Sequence, residues 1–517
     1  MGINSLNIEC LGIALLGVAA TSCSGKQQIP KQPNIIYILC DDLGYSDLGC
    51  YGQKKIETPN IDRLAAQGMR FLQHYSGSPV SAPTRCVTFT GLHSGHSYIR
   101  SNDQVDERGP GVQDYDAMLA DPTLEGQRAL PAGTVTFPKI LQKAGYTTGM
   151  VGKWGLGYTG TESTPNKMGF DFFYGYYCQG WAHTYYPPFL NRNDNREYLP
   201  NTLVAPHQKH DVASDPYNLN RYAKFNQNAY SPDLMYHEVI QFVEGNKDKP
   251  FFLAWTTTIP HVALQAPERW VNYYREKFGD EEPYLGTGYF PCRYPHATYA
   301  AMISHLDEQV GGLVAKLKAL GIYENTILFF TSDNGPAWNA GSDPDWFDNA
   351  FPFKGGRGWG KGTVHEGGIR VPMIVTWEGK IKPNTQSNHI SASWDIMATI
   401  CELSNTKAPE TDGISFVPEL FGRKQKTHEY MYWEYPEAGG SKAIRMGPWK
   451  GMILNICKEG ESNFLLYNLD TDLAEQNNVA AHHPDIVKML RAKMAEAHVE
   501  PLLIEHSIAF NCNANRK

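Results

Sequence analysis

Two stretches, Ile35–Cys40 and Thr326–Thr331, are apolar almost without a break, and each runs into a pair of oxygen-bearing residues, Asp41-Asp42 and Asp333-Asn334. Such runs, bounded by turn residues, predict strands buried on both faces of a sheet. Further strands are expected at Thr147–Val151, Phe251–Thr256 and Ile369–Trp377. Between them the period lengthens. Thr58 is the expected N-cap and Pro59 the first residue of a helix whose Ile61, Leu64 and Ala65 share one face and which Gly68 closes. Residues 137–145 predict a short helix. Met302, Ile303, Leu306, Val310, Leu313 and Leu317 recur at three and four, predicting a long packed helix over Tyr299–Leu320. The alternation predicts an α/β fold, a mainly parallel sheet sandwiched by helices. Ligands of such folds gather beyond the carboxyl ends of strands, where Asp41, Asp42, Asp333 and Asn334 fall.

From about Lys424 the pattern shortens to strand-like segments at Tyr430–Glu434, Lys442–Arg445, Trp449–Leu454 and Phe464–Leu469, followed by a helix over Pro484–His498. These predict a smaller C-terminal α+β subdomain, an antiparallel sheet with a packed helix, over 424–517, after a catalytic domain over 33–423. Residues 1–23 read as a leader. An apolar stretch from Leu11 to Ala20 and then Ala20-Thr21-Ser22-Cys23 resemble a bacterial lipoprotein signal peptide with Cys23 as the lipidated first residue. The run is shorter than the ~20 residues a spanning helix needs. The expected location is the periplasm or the outer membrane, with membrane contact only through the lipid.

Composition narrows the function. A hydrophobic fraction of 42% with 12% aromatic residues excludes a disordered chain. The net charge of -8 and the lack of a long Lys/Arg run exclude a nucleic-acid partner, so an anionic substrate must be held by local cations such as Arg85, Lys153, Lys361 and histidines. Of ten cysteines, Cys10 and Cys23 lie in the leader; the others form no CxxC pair, which excludes a zinc ribbon and leaves their pairing open.

Candidate chemistry centres on Ser81-Ala82-Pro83-Thr84-Arg85, followed by Thr90-Gly91. A serine hydroxyl is a weak nucleophile without a base, a metal or chemical conversion, and no GxSxG elbow surrounds Ser81. The motif resembles the signature of type I, formylglycine-dependent sulfatases of the alkaline-phosphatase-like superfamily. Asn34–Gly44, Pro260-His261, Thr331–Gly335, Gly360-Lys361-Gly362 with Glu366–Pro372, and Tyr467-Asn468-Leu469 through Asn478-Val479-Ala480 extend the likeness in order along the chain.

The resemblance implies that Ser81 is oxidised to formylglycine by a maturase. It implies that Asp41, Asp42, Asp333 and Asn334, with position 81, bind calcium ahead of magnesium, which suits hard oxygen donors. It also implies that Arg85, Lys153 and Lys361 balance the sulfate charge, with His261 as first choice of acid and Lys361 as second. Gly155 stands where the family carries a histidine, so His183 or His365 must supply the base. Gln179, His183 and Arg192, in an aromatic stretch with Trp181, are the expected sugar-binding residues, with Glu434 and Arg445 closing the pocket. The expectation is hydrolysis of sulfate esters on a glycan, with 6-sulfated galactose or N-acetylgalactosamine as the expected sugar. The alternatives are a phosphomonoesterase or phosphodiesterase of the same superfamily and a catalytically lapsed glycan-binding lipoprotein.

Overall fold

The computed structural model describes Met1 and residues 32–102, 114–207, 210–458, 460 and 462–514. The leader and Cys23 lie outside the described residues. β1 (Asn34–Cys40), β2 (Met69–Tyr75), β3 (Thr147–Lys153), β4 (Phe172–Tyr176), β5 (Phe189–Arg192), β6 (Asn195–Tyr198), β7 (Phe251–Thr256), β8 (Thr326–Ser332), β9 (Arg370–Thr376) and β10 (Thr385–Ser387) form one sheet in the order β10-β2-β9-β8-β1-β7-β3-β4-β5-β6. A short β11 (Ser391–Ala392) also pairs with β2.

The centre, β8-β1-β7-β3-β4, is parallel throughout. β1 shows why its sequence is apolar at every position. Ile36, Ile38 and Cys40 enter one core layer, with the helices Pro59–Ala66, Ser231–Gly245 and Pro295–Ala319. Ile35, Tyr37 and Leu39 enter the other, with Ser81–Thr90, Phe137–Lys143 and Asp395–Leu403. Alternate residues of one strand thus feed two cores.

Two local expectations change. β9, predicted as one more strand of a parallel set, runs antiparallel to both β8 and β2. Thr58 makes no side-chain cap on the helix that follows. The carboxylate of Asp307 does so from the long helix, accepting Asn60 N–H at 3.0 Å and Ile61 N–H at 2.7 Å.

The second sheet, β12 (Met431–Tyr435), β13 (Ser441–Met446), β14 (Trp449–Ile453) and β15 (Phe464–Asn468), is an antiparallel meander. One face packs on the helix Pro484–Ala497 through Tyr432, Ile444, Leu466, Leu490 and Met494. The other carries Trp433, Ala443 and Met452 against Tyr75, Val87 and Trp394 of the main domain. Across that join lies a buried ionic knot. Lys450 Nζ is 2.8 Å from both Glu366 Oε1 and Glu475 Oε1, while Arg370 and the Tyr75 hydroxyl donate to Glu366 Oε2 at 3.0 and 2.7 Å. A disulfide joins Cys457 to Cys512. Among the described residues, no helix is long and apolar enough to cross a membrane.

Candidate active site

Four adjacent parallel strands deliver the site. The register pairs Cys40 with Ser332, so Asp41-Asp42 and Asp333-Asn334 leave the sheet side by side, tied by an Asp42 N–H to Asp333 Oδ1 bond of 3.2 Å. β7 leads into the loop of His261, and β3 ends in Lys153. Asp42 takes a left-handed turn at φ 67°, and Gly335 approaches the Gly367 carbonyl so closely that a Cβ would stand 1.8 Å from it. Neither turn suits an ordinary side chain without strain.

Ser81 is the first residue of a helix whose ten residues are all buried. Its hydroxyl donates to Asp41 Oδ1 at 2.8 Å, and Lys153 Nζ lies 3.3 Å from Ser81 Oγ and 2.6 Å from Asp41 Oδ2. Arg85, one helical turn on and so on the same face, donates to Asp333 Oδ2 at 3.0 Å and to the Lys153 carbonyl at 2.5 Å. Asn102 caps the helix from outside, its Oδ1 accepting Ala82 N–H at 2.8 Å. From the glycine-rich loop ahead of β9, Lys361 Nζ reaches Asp42 at 2.7 Å.

This crowding sets the protonation pattern. Burial works to raise the Asp41 carboxyl, but Lys153, His261, Arg85 and Lys361 together hold it well below its usual range. For Asp333, burial and the neighbouring Asp41 charge win, pushing it up to about 6. Burial lowers Lys153. It opposes the charge on Lys361 too, yet Asp42 and Asp41 hold that amine above the ordinary lysine range. His261 is brought down to about 4 by burial and then by Lys361.

His261 Nδ1 bonds the Val262 carbonyl, which only accepts, so in the neutral ring Nε2 is bare; it faces Asp42 Oδ2 at 3.7 Å. The His183 ring stacks on it at 5.2 Å. His183 Nδ1 lies 2.6 Å from His207 Nε2, and His207 Nδ1 bonds the Gly288 carbonyl. That carbonyl fixes the proton on His207 Nδ1, which makes His183 Nδ1 the donor and leaves His183 Nε2 bare. Burial, then His261 and His207, keep His183 neutral, well below the usual imidazole range.

The acidic cradle suits a hard divalent cation. Asn334 Oδ1 is buried without a hydrogen-bond partner, although its amide nitrogen donates to Asp42 Oδ1 at 2.8 Å. Asp41, Asp42 and His261 also present ligand atoms within 4.8 Å of one another. An orphaned amide oxygen beside three carboxylates is the donor chemistry that calcium or magnesium takes.

The structure thus gathers Ser81, Arg85, Lys153, His261, Lys361, Asp41, Asp42, Asp333 and Asn334 about one point, with His183 against His261. Gln179 lies beside Gly155, where a Cβ would meet its Cγ at 3.4 Å and Arg85 Cδ at 3.6 Å. Arg192 is not brought in. It is held by Glu197 at 2.7 Å and Glu238 at 2.7 Å and lies over the Tyr174 ring, so its charge is already matched. His365 is bound to Glu475 at 3.0 Å. Glu434 pairs with Arg100 and His498, and Arg445 donates to Tyr75 and Gln73. These residues join the two sheets instead of lining the pocket. Trp181 is core, packed on Tyr115 and Phe189. His207, Asn102 and Tyr289, whose ring packs against His183, His207 and His261, carry no signal in the sequence; their places come from contacts between distant loops.

A hydroxyl at the head of a buried helix, an acidic cradle for a cation and a ring of amines and guanidinium at strand ends define an ester hydrolase of the alkaline-phosphatase-like superfamily. The sulfatase family profile matches residues 33–406, and a second profile, described as N-sulphoglucosamine sulphohydrolase, C-terminal, matches residues 355–500. The chain belongs to the sulfatase family and is a sulfuric ester hydrolase. It is similar to the N-acetylgalactosamine-6-O-sulfatase of Bacteroides thetaiotaomicron, with 29% identity covering 93% of this chain and 96% of the relative. The human N-acetylgalactosamine-6-sulfatase is 27% identical over 79% of this chain and 70% of its own length. The crystal structure of Ps i-CgsB in complex with k-i-k-neocarrahexaose superposes with a TM-score of 0.72 and 26% identity, covering 94% of this chain and 97% of that one.

Proposed function

We propose that this chain is an exported carbohydrate sulfatase that releases sulfate from a 6-sulfated galactose or N-acetylgalactosamine, with Ser81 oxidised to formylglycine and calcium held by Asp41, Asp42, Asp333 and Asn334. One observation carries the reading: Ser81 Oγ stands 2.8 Å from Asp41 and 3.3 Å from Lys153, inside the ring of Arg85, Lys361 and His261. The sugar rests on relatives named as N-acetylgalactosamine-6-sulfatases. The oxidised and metal-bound site would supply a cation for the sulfate oxygens and, at position 81, a hydrated aldehyde with one hydroxyl for attack and one for release.

The chain's own residues do the rest. Lys153 bridges Asp41 and position 81 and fixes the direction of attack. Arg85, locked by Asp333 and the Lys153 carbonyl, offers its charge without reorganising. His261 takes up a proton when the anionic ester arrives beside it and delivers it to the departing sugar oxygen; Lys361, protonated throughout, is the alternate donor. His183, its Nε2 kept bare by His207, carries the base role that Gly155 leaves open. The Cys457–Cys512 disulfide supports export, since such bonds persist in oxidising compartments.

Mass spectrometry of the peptide spanning position 81 tests the maturation, a loss of two hydrogens marking conversion and an unchanged serine in the active enzyme refuting it. A panel of sulfated mono- and disaccharides with phosphate-ester controls tests the substrate; faster phosphate than sulfate release would reject it. Failure to release sulfate from any sugar once position 81 is converted would favour the lapsed, glycan-binding reading. Palmitate labelling of the wild type against Cys23→Ser tests the anchor.

A further inference from the structure

The loop that carries Lys361 lies on the segment that leaves Asn334. Lys361 N–H donates to the Pro336 carbonyl at 3.1 Å, and a Cβ on Gly360 would stand 2.7 Å from that same oxygen. Two residues past Pro336, Trp338 is 38% exposed, and the Arg357 guanidinium sits 5.2 Å from its ring centre. On the same loop, Lys354 Nζ lies 4.2 Å over Trp359. Among the described residues, neither Arg357 nor Lys354 has a carboxylate within 4.0 Å, in a chain of net charge -8 whose buried arginines are largely paired. Arg357 and Gly358 are exposed.

We infer that Trp338 and Arg357 form a subsite for a second, anionic sugar of the substrate chain, next to the sugar whose sulfate is cleaved. A flat indole open to solvent stacks on the apolar face of a pyranose ring, and a guanidinium without a carboxylate partner offers two parallel donors to a sulfate or carboxylate on that ring. Their place, one loop away from Lys361, puts the second sugar on the glycan's continuation outside the cation cradle. The alternative is a surface cation–π pair that only stiffens the loop. The inference rests on the carbohydrate-sulfatase reading and deepens it.

Calorimetry separates the two, using the full chain with unmodified Ser81 so that ligands are bound and not turned over. The probes are N-acetylgalactosamine 6-sulfate with a chondroitin 6-sulfate tetrasaccharide, and galactose 6-sulfate with a galactan tetrasaccharide sulfated on adjacent sugars. In the wild type, one tetrasaccharide binds about tenfold tighter than its monosaccharide, and Trp338→Ala or Arg357→Glu removes that gain. Monosaccharide affinity in each variant reports that the cradle is folded. The subsite is overturned if both variants keep the gain, or if neither tetrasaccharide binds tighter than its monosaccharide in the wild type. Failure of the underlying reading shows separately, as no sulfate release from any of the four probes by the matured enzyme.

Discussion

Replacing Lys450 by methionine removes the one amine that sits between Glu366 and Glu475, both within 2.8 Å and all three fully buried. Two carboxylates are then left facing each other with less compensation, a loss on the order of 3–5 kcal/mol when a buried pair is broken. The pH dependence gives a sharper signature. Burial works to raise the Glu366 carboxyl, but Lys450, then Arg370 and Arg445, bring it from 4.5 down to about 2. A carboxyl depressed in the folded state stabilises above its unfolded pKa and loses that contribution as pH falls through the folded one. The gap between 4.5 and about 2 is worth roughly 3 kcal/mol. The wild type therefore gives up this contribution as acidity increases below about pH 4.5, whereas the variant, with less of it to lose, falls less steeply. Hydrogen exchange read by mass spectrometry on peptides covering Ser441–Ile453 measures it locally, which avoids treating a two-sheet protein as a single transition. Equal protection of those peptides in the two proteins, or parallel pH profiles, would refute the account.

Ser81→Ala should abolish sulfate release and leave the melting temperature nearly unchanged, because the hydroxyl's two bonds, to Asp41 and from Lys153, join groups that stay paired with each other, in a helix already fixed by packing; scanning calorimetry and sulfate release report the two effects. Chelation by EDTA should lower the melting temperature of the matured enzyme, and calcium should restore it, since emptying the cradle leaves Asp333 with the burial and the neighbouring Asp41 charge that push it up to about 6. His207→Gln should keep most of the turnover, its amide donating to Gly288 and accepting from His183, whereas His207→Leu should lower kcat by ten- to a hundredfold with little change in KM; equal loss in both variants would assign the ring a packing role. Gly155→Ala should cost about 1 kcal/mol of stability from its left-handed φ of 75°, as the added Cβ meets Gln179 and Arg85 only at ordinary van der Waals distance; thermal unfolding measures it.

The sequence made the central strands legible because both faces of each are buried, and the four meander strands because their boundaries are turns. β2 and β4–β6 escaped notice for a physical reason. Met69–Tyr75 mixes Arg70, Gln73 and His74 into an edge-side strand, and Phe172–Tyr176 is interrupted by a glycine. In the site, residues on strand ends and in the serine motif could be placed because neighbouring parallel strands must release their chains together. Arg192 could not be judged, because its matching charge, Glu238, comes from a helix 46 residues away. His207 carried no signal either; its role depends on a carbonyl, Gly288, that only the folded loops bring near.

The ionic knot at the join of the two sheets has a temporal meaning. Glu366 and His365 stand at the foot of the loop that presents Lys361, and their partners Lys450 and Glu475 follow them along the chain by 84 and 110 residues and so leave the ribosome later. A nascent or prematurely stopped chain can lay down the central strands and the serine helix, yet it lacks the counter-charges that anchor that loop. The anchoring of that loop thus waits for the second sheet to be made, a sequence of events written into the order of the codons.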